Sequence, residues 1–339
     1  MEPFIRALFT DAILNTVLDK YAILPENAQI LDGFESYIFQ VHRSDTDYIL
    51  RIGHDSRRTA DLVQGESEFL NHLAIGGLSV PRVLHSTSQK LVETIPAKDG
   101  SHFLTTLFEK APGKPPSREQ WGPSLHTAMG SFMGKLHQLS KSFQPSHPRY
   151  ERYDFEYDSN QMAAQGSKYL PKSDGAVLTS YLETVSAIQQ LPKDKLSYGL
   201  CHIDFHGGNF FITPSGQITL FDFDDCQYAL FIYDIAMALF YAISHNCTTP
   251  EKLAEAESFL VHFWQGYQQE NNLSPDWLQH IPLFLRLREI DLFMLIHRSM
   301  DISNLDPWCT SFMDQRRHKI LSHAPFCNID YTSIDSHNI

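Results

Sequence analysis

The hydrophobic period of this chain changes at one seam, and that change limits the folds open to it. Before the seam the apolar runs are short, rich in β-branched and aromatic residues, and bounded by turn residues. Ala28–Asp32, Ser36–Val41, Tyr48–Ile52 and His102–Glu109 read as strands, the second and third joined through Ser44-Asp45-Thr46-Asp47. Two further extended pieces fall within Ser79–Thr94, and Pro3–Lys20 and Asp61–Gly76 carry apolar residues at helical spacing. The seam is Ala111-Pro112-Gly113-Lys114-Pro115-Pro116, three prolines and a glycine in six residues, a composition that breaks both helix and strand. Beyond it the helical period returns over Leu125–Ser140, Asp174–Gln190, Ala229–Ser244, Lys252–Glu270, Pro282–Met300 and Pro307–His323. One hairpin interrupts that run: Asn209–Thr213 and Gln217–Phe221 flank Thr213-Pro214-Ser215-Gly216, which suits a type I turn. The pattern predicts an α+β protein. It has a small antiparallel-sheet N-terminal lobe (1–110), a larger mostly helical C-terminal lobe (111–330) and a loose polar tail (331–339), a division that 339 residues accommodate.

Charge and cysteine content narrow the function classes. With 27 basic and 40 acidic residues the formal charge is −13, which argues against nucleic acid and against an anionic membrane surface as partners. It suits a cationic small molecule. The five cysteines are widely spaced with no C-x-x-C, so they read as buried free thiols in a reducing compartment. Met1-Glu2-Pro3-Phe4-Ile5-Arg6 lacks a basic start followed by an apolar stretch, and Ala229–Ile243, the most apolar run, is too short to span a bilayer. These features predict a cytoplasmic protein.

The chemistry is concentrated in Tyr198–Cys226. His202-Ile203-Asp204-Phe205-His206 alternates metal-ligand types and would fit a metallohydrolase. His202, Asp204 and Asn209 also follow the spacing H-x-D-x-x-x-x-N of a kinase catalytic loop, where the Asp takes the proton of a substrate hydroxyl and the Asn binds Mg2+. A second metal carboxylate then belongs on the far side of a short hairpin, and Asp222 of Phe221-Asp222-Phe223-Asp224-Asp225 stands there. The zinc reading leaves Asn209 and this acidic cluster without a task. Phosphoryl transfer uses both, because it needs positioning and charge neutralisation more than covalent chemistry, and Mg2+ takes hard oxygen ligands. No G-x-x-x-x-G-K-[ST] is present, which excludes a P-loop enzyme.

The segment resembles the aminoglycoside phosphotransferase/choline kinase-like superfamily, whose loop usually reads H-G-D-x-H-x-G-N and is followed by a strand ending in D-F-E or D-F-D. Here Ile203 stands in place of the usual Gly. Within the superfamily the acidic doublet Asp224-Asp225 looks most like the bacterial branch of type II homoserine kinases and a stress-response Ser/Thr kinase. The resemblance implies a bilobal protein-kinase-like fold with ATP and Mg2+ as cofactors. It makes Asp204 the base and Asn209 and Asp222 the metal ligands, with His202, His206, Asp224, Asp225 and Asp234 in support. It places a phosphate-covering loop at Asp32-Gly33-Phe34-Glu35-Ser36-Tyr37, Gly33 and Ser36 included, although only one glycine occurs there. Arg51 stands where kinases put the phosphate-binding Lys. Glu66 is its expected partner, because it lies on the same stripe as Leu62 and Leu70 while Glu68 points away. The backbone at Glu109 and Ala111 would take the adenine edge. The resemblance makes His137 a packing residue, and the sequence reads Asp234, inside an apolar run, as a paired or capping carboxylate.

Only a few residues separate Asp225 from the next helical run, which leaves no room for an activation segment and favours a small hydroxylated acceptor. A protein Ser/Thr kinase and a nucleotide-binding regulator without turnover are the alternatives. Candidate acceptor residues are the polar groups in and around Pro282–Met300: Arg286, Arg288, Glu289, Asp291, His297, Arg298 and Asp301, with Asp306, Trp308 and Tyr267.

Overall fold

The structure, a computed structural model, describes residues 3–31, 33, 35–243 and 247–337. In chain order its helices are α1 (Pro3–Leu8), α2 (Asp11–Lys20), α3 (Ala60–Ile75), α4 (Pro123–Ser140), α5 (Phe155–Tyr169), α6 (Gly175–Gln189), α7 (Phe231–Ala242), α8 (Pro250–Glu270), α9 (Ile281–Ser299), α10 (Pro307–Met313) and α11 (Arg316–Leu321). Its strands are β1 (Ala28–Leu31), β2 (Tyr37–Arg43), β3 (Thr46–His54), β4 (Val83–Leu84), β5 (Glu93–Pro96), β6 (His102–Glu109), β7 (Tyr198–Cys201), β8 (Phe210–Ile212), β9 (Ile218–Leu220) and β10 (Gln227–Leu230). The chain divides into two compact units. One holds Met1–Lys114, Ser142–Arg152 and Phe211–Asp224; the other holds Pro115–Lys141, Tyr153–Phe210 and Asp225–Ile339.

The first unit is built on an antiparallel sheet of order β1-β2-β3-β6-β4, with β5 also paired to β6. Alternation along β2 and β3 turns Phe39, Val41, Leu50 and Ile52 to one face, where they pack with Val17, Leu18 and Tyr21 of the α2 segment and with Phe103 and Leu107. Each such side chain removed from water is worth roughly 1.5–3 kcal/mol. The buried Tyr21 hydroxyl is satisfied by donating to the Thr105 carbonyl at 2.9 Å. The β2–β3 loop is two residues long, and Ser44 and Asp45 both take positive φ (50° and 59°), the backbone twist that a tight hairpin demands.

Two sequence expectations change here. The helix expected over Pro3–Lys20 is broken at Phe9-Thr10, because the Thr10 hydroxyl caps α2 by accepting from Ile13 N–H. The lobe boundary expected at residue 110 lies at Lys114, and two distant segments join the first unit. The β8–β9 hairpin bonds to it through Lys114 N–H to Ile212 O (3.1 Å) and Leu220 N–H to Ser79 O (3.2 Å). The 142–152 segment docks on α3, where Ser146 binds Glu68, Arg152 Nη1 donates to Leu62 O, and a Cβ at Gly65 would lie 1.9 Å from Tyr150 O.

The second unit is a helical body. α4 and α8 approach so closely that a Cβ at Gly130 would meet Phe263 O at 1.8 Å and one at Gly266 would meet Thr127 O at 1.9 Å. Residues Phe231 to Phe240 of α7 are all buried, which explains why that helix is apolar on every side. The helix expected to end at Ser244 ends at Ala242, and Ser244 lies outside the described residues. The helix expected over Pro307–His323 is two helices, divided where Gln315 adopts φ 53°. α5 has no counterpart among the sequence expectations. The tail expected to be loose is docked: Tyr331 and Ile334 are buried, and Trp264 Nε1 donates to Asp335 at 2.8 Å. Among the described residues no helix is long and apolar enough to cross a membrane.

Candidate active site

The second unit carries the loop His202–Asn209 between β7 and β8. Asp234, in the first turn of α7 and fully buried, holds its entrance. Asp234 Oδ2 accepts from His202 N–H (2.8 Å), and Oδ1 accepts from Ile203 N–H (2.6 Å). His137 Nε2 lies 3.0 Å from Oδ2, and the His137 ring stacks on Phe231 at 4.2 Å. Asn271 Nδ2 donates to the Tyr267 hydroxyl, which leaves that hydroxyl to donate to His137 Nδ1 (2.8 Å) and places the imidazole proton on Nε2, facing Asp234. Burial holds His137 below its ordinary pKa, so the ring is neutral. Burial also pushes the Asp234 carboxyl up, but the hydrogen bonds from His137 and the Ile203 backbone outweigh it and keep the group ionised.

This clamp matters because the loop is strained. Ile203 has φ 73°, a left-handed backbone that is an outlier for a β-branched residue. The family pattern has Gly at this position for the same geometric reason. Here two hydrogen bonds to one carboxylate keep Ile in a conformation that Gly would adopt freely.

Asp204 follows directly. Its Oδ2 accepts from Asn209 Nδ2 (3.0 Å) and faces His206 Nε2 (3.2 Å); its Oδ1 faces Arg288 Nη2 (3.4 Å). Gly208 N–H donates to His206 Nδ1, so His206 carries its proton on Nε2 and donates it to Asp204. Burial pushes the Asp204 carboxyl up; the His206 hydrogen bond and the Arg288 guanidinium together hold it well below the usual carboxylate range. The side chain keeps 25% of its surface open, enough for a hydroxyl to reach it. Asn209 donates both to the Asp204 carboxylate and to the Asp204 carbonyl (2.9 Å). Its Nδ2 is thereby occupied and its carboxamide oxygen remains as the hard donor that a divalent cation would take.

Arg288 stood among ten acceptor candidates in the sequence, and the structure sets it apart. It binds the Tyr241 hydroxyl, lies over the Tyr241 ring (5.3 Å), and reaches Asp204. The Tyr241 ring also packs on His206 at 4.7 Å. Tyr241 was not legible, because nothing in an apolar helix marks one tyrosine. Several other candidates have structural partners: Arg286 with Ser180 and Ile320 O, Glu289 with Arg316, Arg298 with Gln165, Asp306 as the cap of α10, and Tyr267 with His137.

In the first unit Arg51 forms a bidentate pair with Glu66 (2.8 and 2.7 Å), and the Glu66 side chain is 1% exposed. α3 brings Glu66 there because Thr59 caps its start, and Glu66 shares the buried face with Leu62 and Leu70. Around the same guanidinium the structure gathers more charge than the sequence suggests. Arg57 Nη2 lies 2.6 Å from Asp224 Oδ2 and also pairs with Glu35; Arg51 Nη1 and Arg58 Nε reach Asp224 at 3.8 and 3.9 Å. Arg152 and Arg58 donate to the Asp224 carbonyl. Burial pushes the Asp224 carboxyl up, and the four guanidiniums hold it well below its ordinary value. Guanidiniums already neutralise Asp224, so it is not a carboxylate left open to a cation. Asp222 and Asp225 are exposed, and Asp222 takes φ 66°.

Gly33 sits in a turn where a Cβ would lie 2.3 Å from Ser36 O, and Ser36 lines a small cavity with Arg51, Arg57, Arg58 and Asp224. Asp32 and Phe34 lie outside the described residues. Glu109 pairs with Arg82 at 2.5 Å, so its side chain is engaged; Ala111 follows in the seam.

A family profile described as the phosphotransferase enzyme family matches residues 26–280. The amicoumacin kinase of Bacillus subtilis (strain 168) is 33% identical over 325 residues, 96% of each chain. A solved amicoumacin kinase, in complex with AMP-PNP, Ca2+ and Ami, superposes with a TM-score of 0.92 at 32% identity, covering 98% of this chain and all of that one. A microcompartment-associated aminopropanol kinase shares the fold at a TM-score of 0.71, 20% identity and 93% and 98% coverage. A hydroxylysine kinase of Bos taurus is 23% identical over 221 residues, 59% of this chain and 58% of that one. The chain belongs to the phosphotransferase enzyme family and is a kinase with the protein-kinase-like α+β fold.

Proposed function

We propose that this enzyme transfers the γ-phosphoryl group of ATP to a hydroxyl of amicoumacin or a closely similar hydroxylated small molecule. The observation that carries the reading is the full-length likeness to the amicoumacin kinase, at an identity well above that of the aminopropanol and hydroxylysine kinases. Asp204 accepts the hydroxyl proton as the acceptor oxygen bonds to phosphorus and the bond to the β-phosphate oxygen breaks. The open edge of its carboxylate and its three donors support that role. Arg51, oriented by Glu66, supplies charge to the nucleotide phosphates in place of the usual Lys. The turn at Gly33 and Ser36 covers those phosphates, and the backbone at Glu109 and Ala111 takes the adenine edge. The carboxamide oxygen of Asn209 and the carboxylate of Asp222 are the donors for Mg2+, which when bound neutralises the phosphates. His202 and Asp234 hold the loop, His206 orients Asp204, and Asp224 holds the arginines; Asp225 follows Asp224 three residues beyond the metal carboxylate.

The test is an acceptor screen with ATP and Mg2+, reading ATP consumption and product mass, over amicoumacin, aminopropanol, hydroxylysine, homoserine and aminoglycosides. Phosphorylated amicoumacin at the highest kcat/KM is the expected result. Turnover only with another acceptor overturns the substrate, and label transferred from ATP into protein alone overturns the small-molecule reading.

A further inference from the structure

Two of the cysteines are neighbours in space although 80 residues apart. Cys247 follows α7 and Cys327 follows α11; their Sγ atoms lie 3.1 Å apart, and both residues are buried. The backbones meet there as an isolated parallel bridge between Cys247 and Cys327. Paired strands run roughly 4.8 Å apart, and disulfides span Cα separations of roughly 4.4–6.8 Å, so the bridge already supplies the backbone spacing that a disulfide requires. Closing the sulfurs to a bond of roughly 2.05 Å needs about an ångström of side-chain movement and no rearrangement of the chain. Cys201, Cys226 and Cys309 are also buried, and the sulfur contact of Cys309 is with Met300.

The segments that meet at this bridge are fixed on both sides. Phe326 stacks on Phe240 of α7 at 4.4 Å, the Tyr331 hydroxyl donates to the Cys327 carbonyl at 2.9 Å, and Trp264 of α8 holds Asp335. Phe240 immediately precedes Tyr241, the residue that binds Arg288.

We propose that Cys247 and Cys327 are a disulfide-forming pair that fastens the C-terminal segment to the end of α7, with a small-molecule disulfide such as oxidised glutathione as the oxidant. The thiolate of one cysteine attacks the glutathione disulfide and forms a mixed disulfide. The second cysteine then displaces glutathione, so that two thiols lose two protons and two electrons and two glutathione thiols are released. Burial and the neighbouring Cys247 push the Cys327 thiol up, so the reduced pair reacts slowly in the folded protein. The pair therefore acts as a lasting fastening rather than a rapid sensor.

The test uses the full chain, reduced and then equilibrated with oxidised glutathione at pH 8.5. Thiols are counted after unfolding, peptides are mapped under non-reducing conditions, and thermal unfolding is followed with and without reductant. The expected result is three remaining thiols of the five, a peptide joining Cys247 to Cys327, and a Tm raised by roughly 5–10 °C, since the bond closes a long loop. Cys327→Ser and Cys247→Ser should each abolish the joined peptide and the Tm rise. Five free thiols at equilibrium, a joined peptide between other cysteines, or oxidation that leaves Tm unchanged overturns the proposal.

Discussion

Asp224 in the first unit and Asp204 in the second are both carboxylates withdrawn from water and held ionised, by opposite means. Asp224 is surrounded by fixed charge: Arg57, Arg51 and Arg58 reach its carboxylate, and Arg152 binds its carbonyl. Asp204 relies on the Asn209 amide, the His206 ring and a single guanidinium at 3.4 Å. A carboxylate saturated by guanidiniums has no position left for a substrate, and its charge holds other side chains in place. One served mainly by an amide and an imidazole can exchange a donor for an incoming hydroxyl at small cost. The same residue type is thus locked among cations in one unit and left open to an incoming group in the other, and the difference lies in the partners.

The sharpest way to break this comparison is Asp204→Asn. It removes the carboxylate proposed to accept the proton while keeping shape and hydrogen-bonding capacity. The expected loss is roughly 10²–10⁴ in kcat, with Tm unchanged or raised, measured by ATP consumption beside thermal unfolding. Turnover within a few-fold of wild type would remove Asp204 from the chemistry. Asp224→Asn should do the reverse. Taking one partner from a buried charge cluster leaves several guanidiniums facing each other, at a cost of about 3–5 kcal/mol. Urea unfolding should show that loss, and the folded fraction should still turn over. An intact stability with a collapsed rate would place Asp224 among the reacting groups.

The asymmetry also decided what the sequence disclosed. The spacing along the chain singled out Asp204, Asn209 and Asp222, and the structure brings Asn209 onto Asp204. The Arg51–Glu66 pair was legible because helical periodicity put Glu66, and not Glu68, on the buried stripe, and the structure shows the bidentate contact. The guanidiniums around Asp224 were not legible. They come from the β3–α3 turn and from the 142–152 segment, and no local pattern links Arg57 or Arg152 to residue 224. Tyr241 was hidden for the same reason, and Arg288, one of ten acceptor candidates, could not be singled out, since α9 and α7 meet only after folding. The missed α5 is weakly patterned, with Ser159 and Gly166 standing beside Phe155 on its buried face. The break in Pro307–His323 follows from one left-handed residue, which no periodicity announces.

Arg288 tests how far a single charge serves Asp204. Arg288→Lys keeps the charge but replaces the planar guanidinium, whose Nη2 meets both Asp204 and Tyr241 and which lies over the Tyr241 ring, by a compact ammonium. A drop of about tenfold in kcat is expected, with the nucleotide KM unchanged, and Arg288→Ala should fall further. Equal losses for Lys and Ala would show that geometry matters and charge does not; no loss in either would detach Arg288 from Asp204.

Asp291 supplies the case that neither unit's solution covers. It lies one turn along α9 from Arg288, is 7% exposed, and its Oδ1 has no hydrogen-bond partner. Burial and the nearby Asp158 push its carboxyl up, Arg288 and Tyr181 pull it down, and the balance leaves it at about 7. The unfolded chain releases this proton near pH 4, while the native protein keeps it to about 7. Between those values the unfolded state binds fewer protons than the native state, so stability present below pH 4 is lost as pH rises through 7. Asn imitates the protonated acid and does not titrate. Asp291→Asn should therefore match wild type near pH 4 and exceed it above pH 7, by on the order of 2–4 kcal/mol at 1.4 kcal/mol per pKa unit. Urea unfolding at pH 5 and pH 8 measures the difference. A gain of equal size at both values would mean that Asp291 is ionised throughout, and that a buried carboxylate in this unit holds its charge without the donors that Asp204 uses.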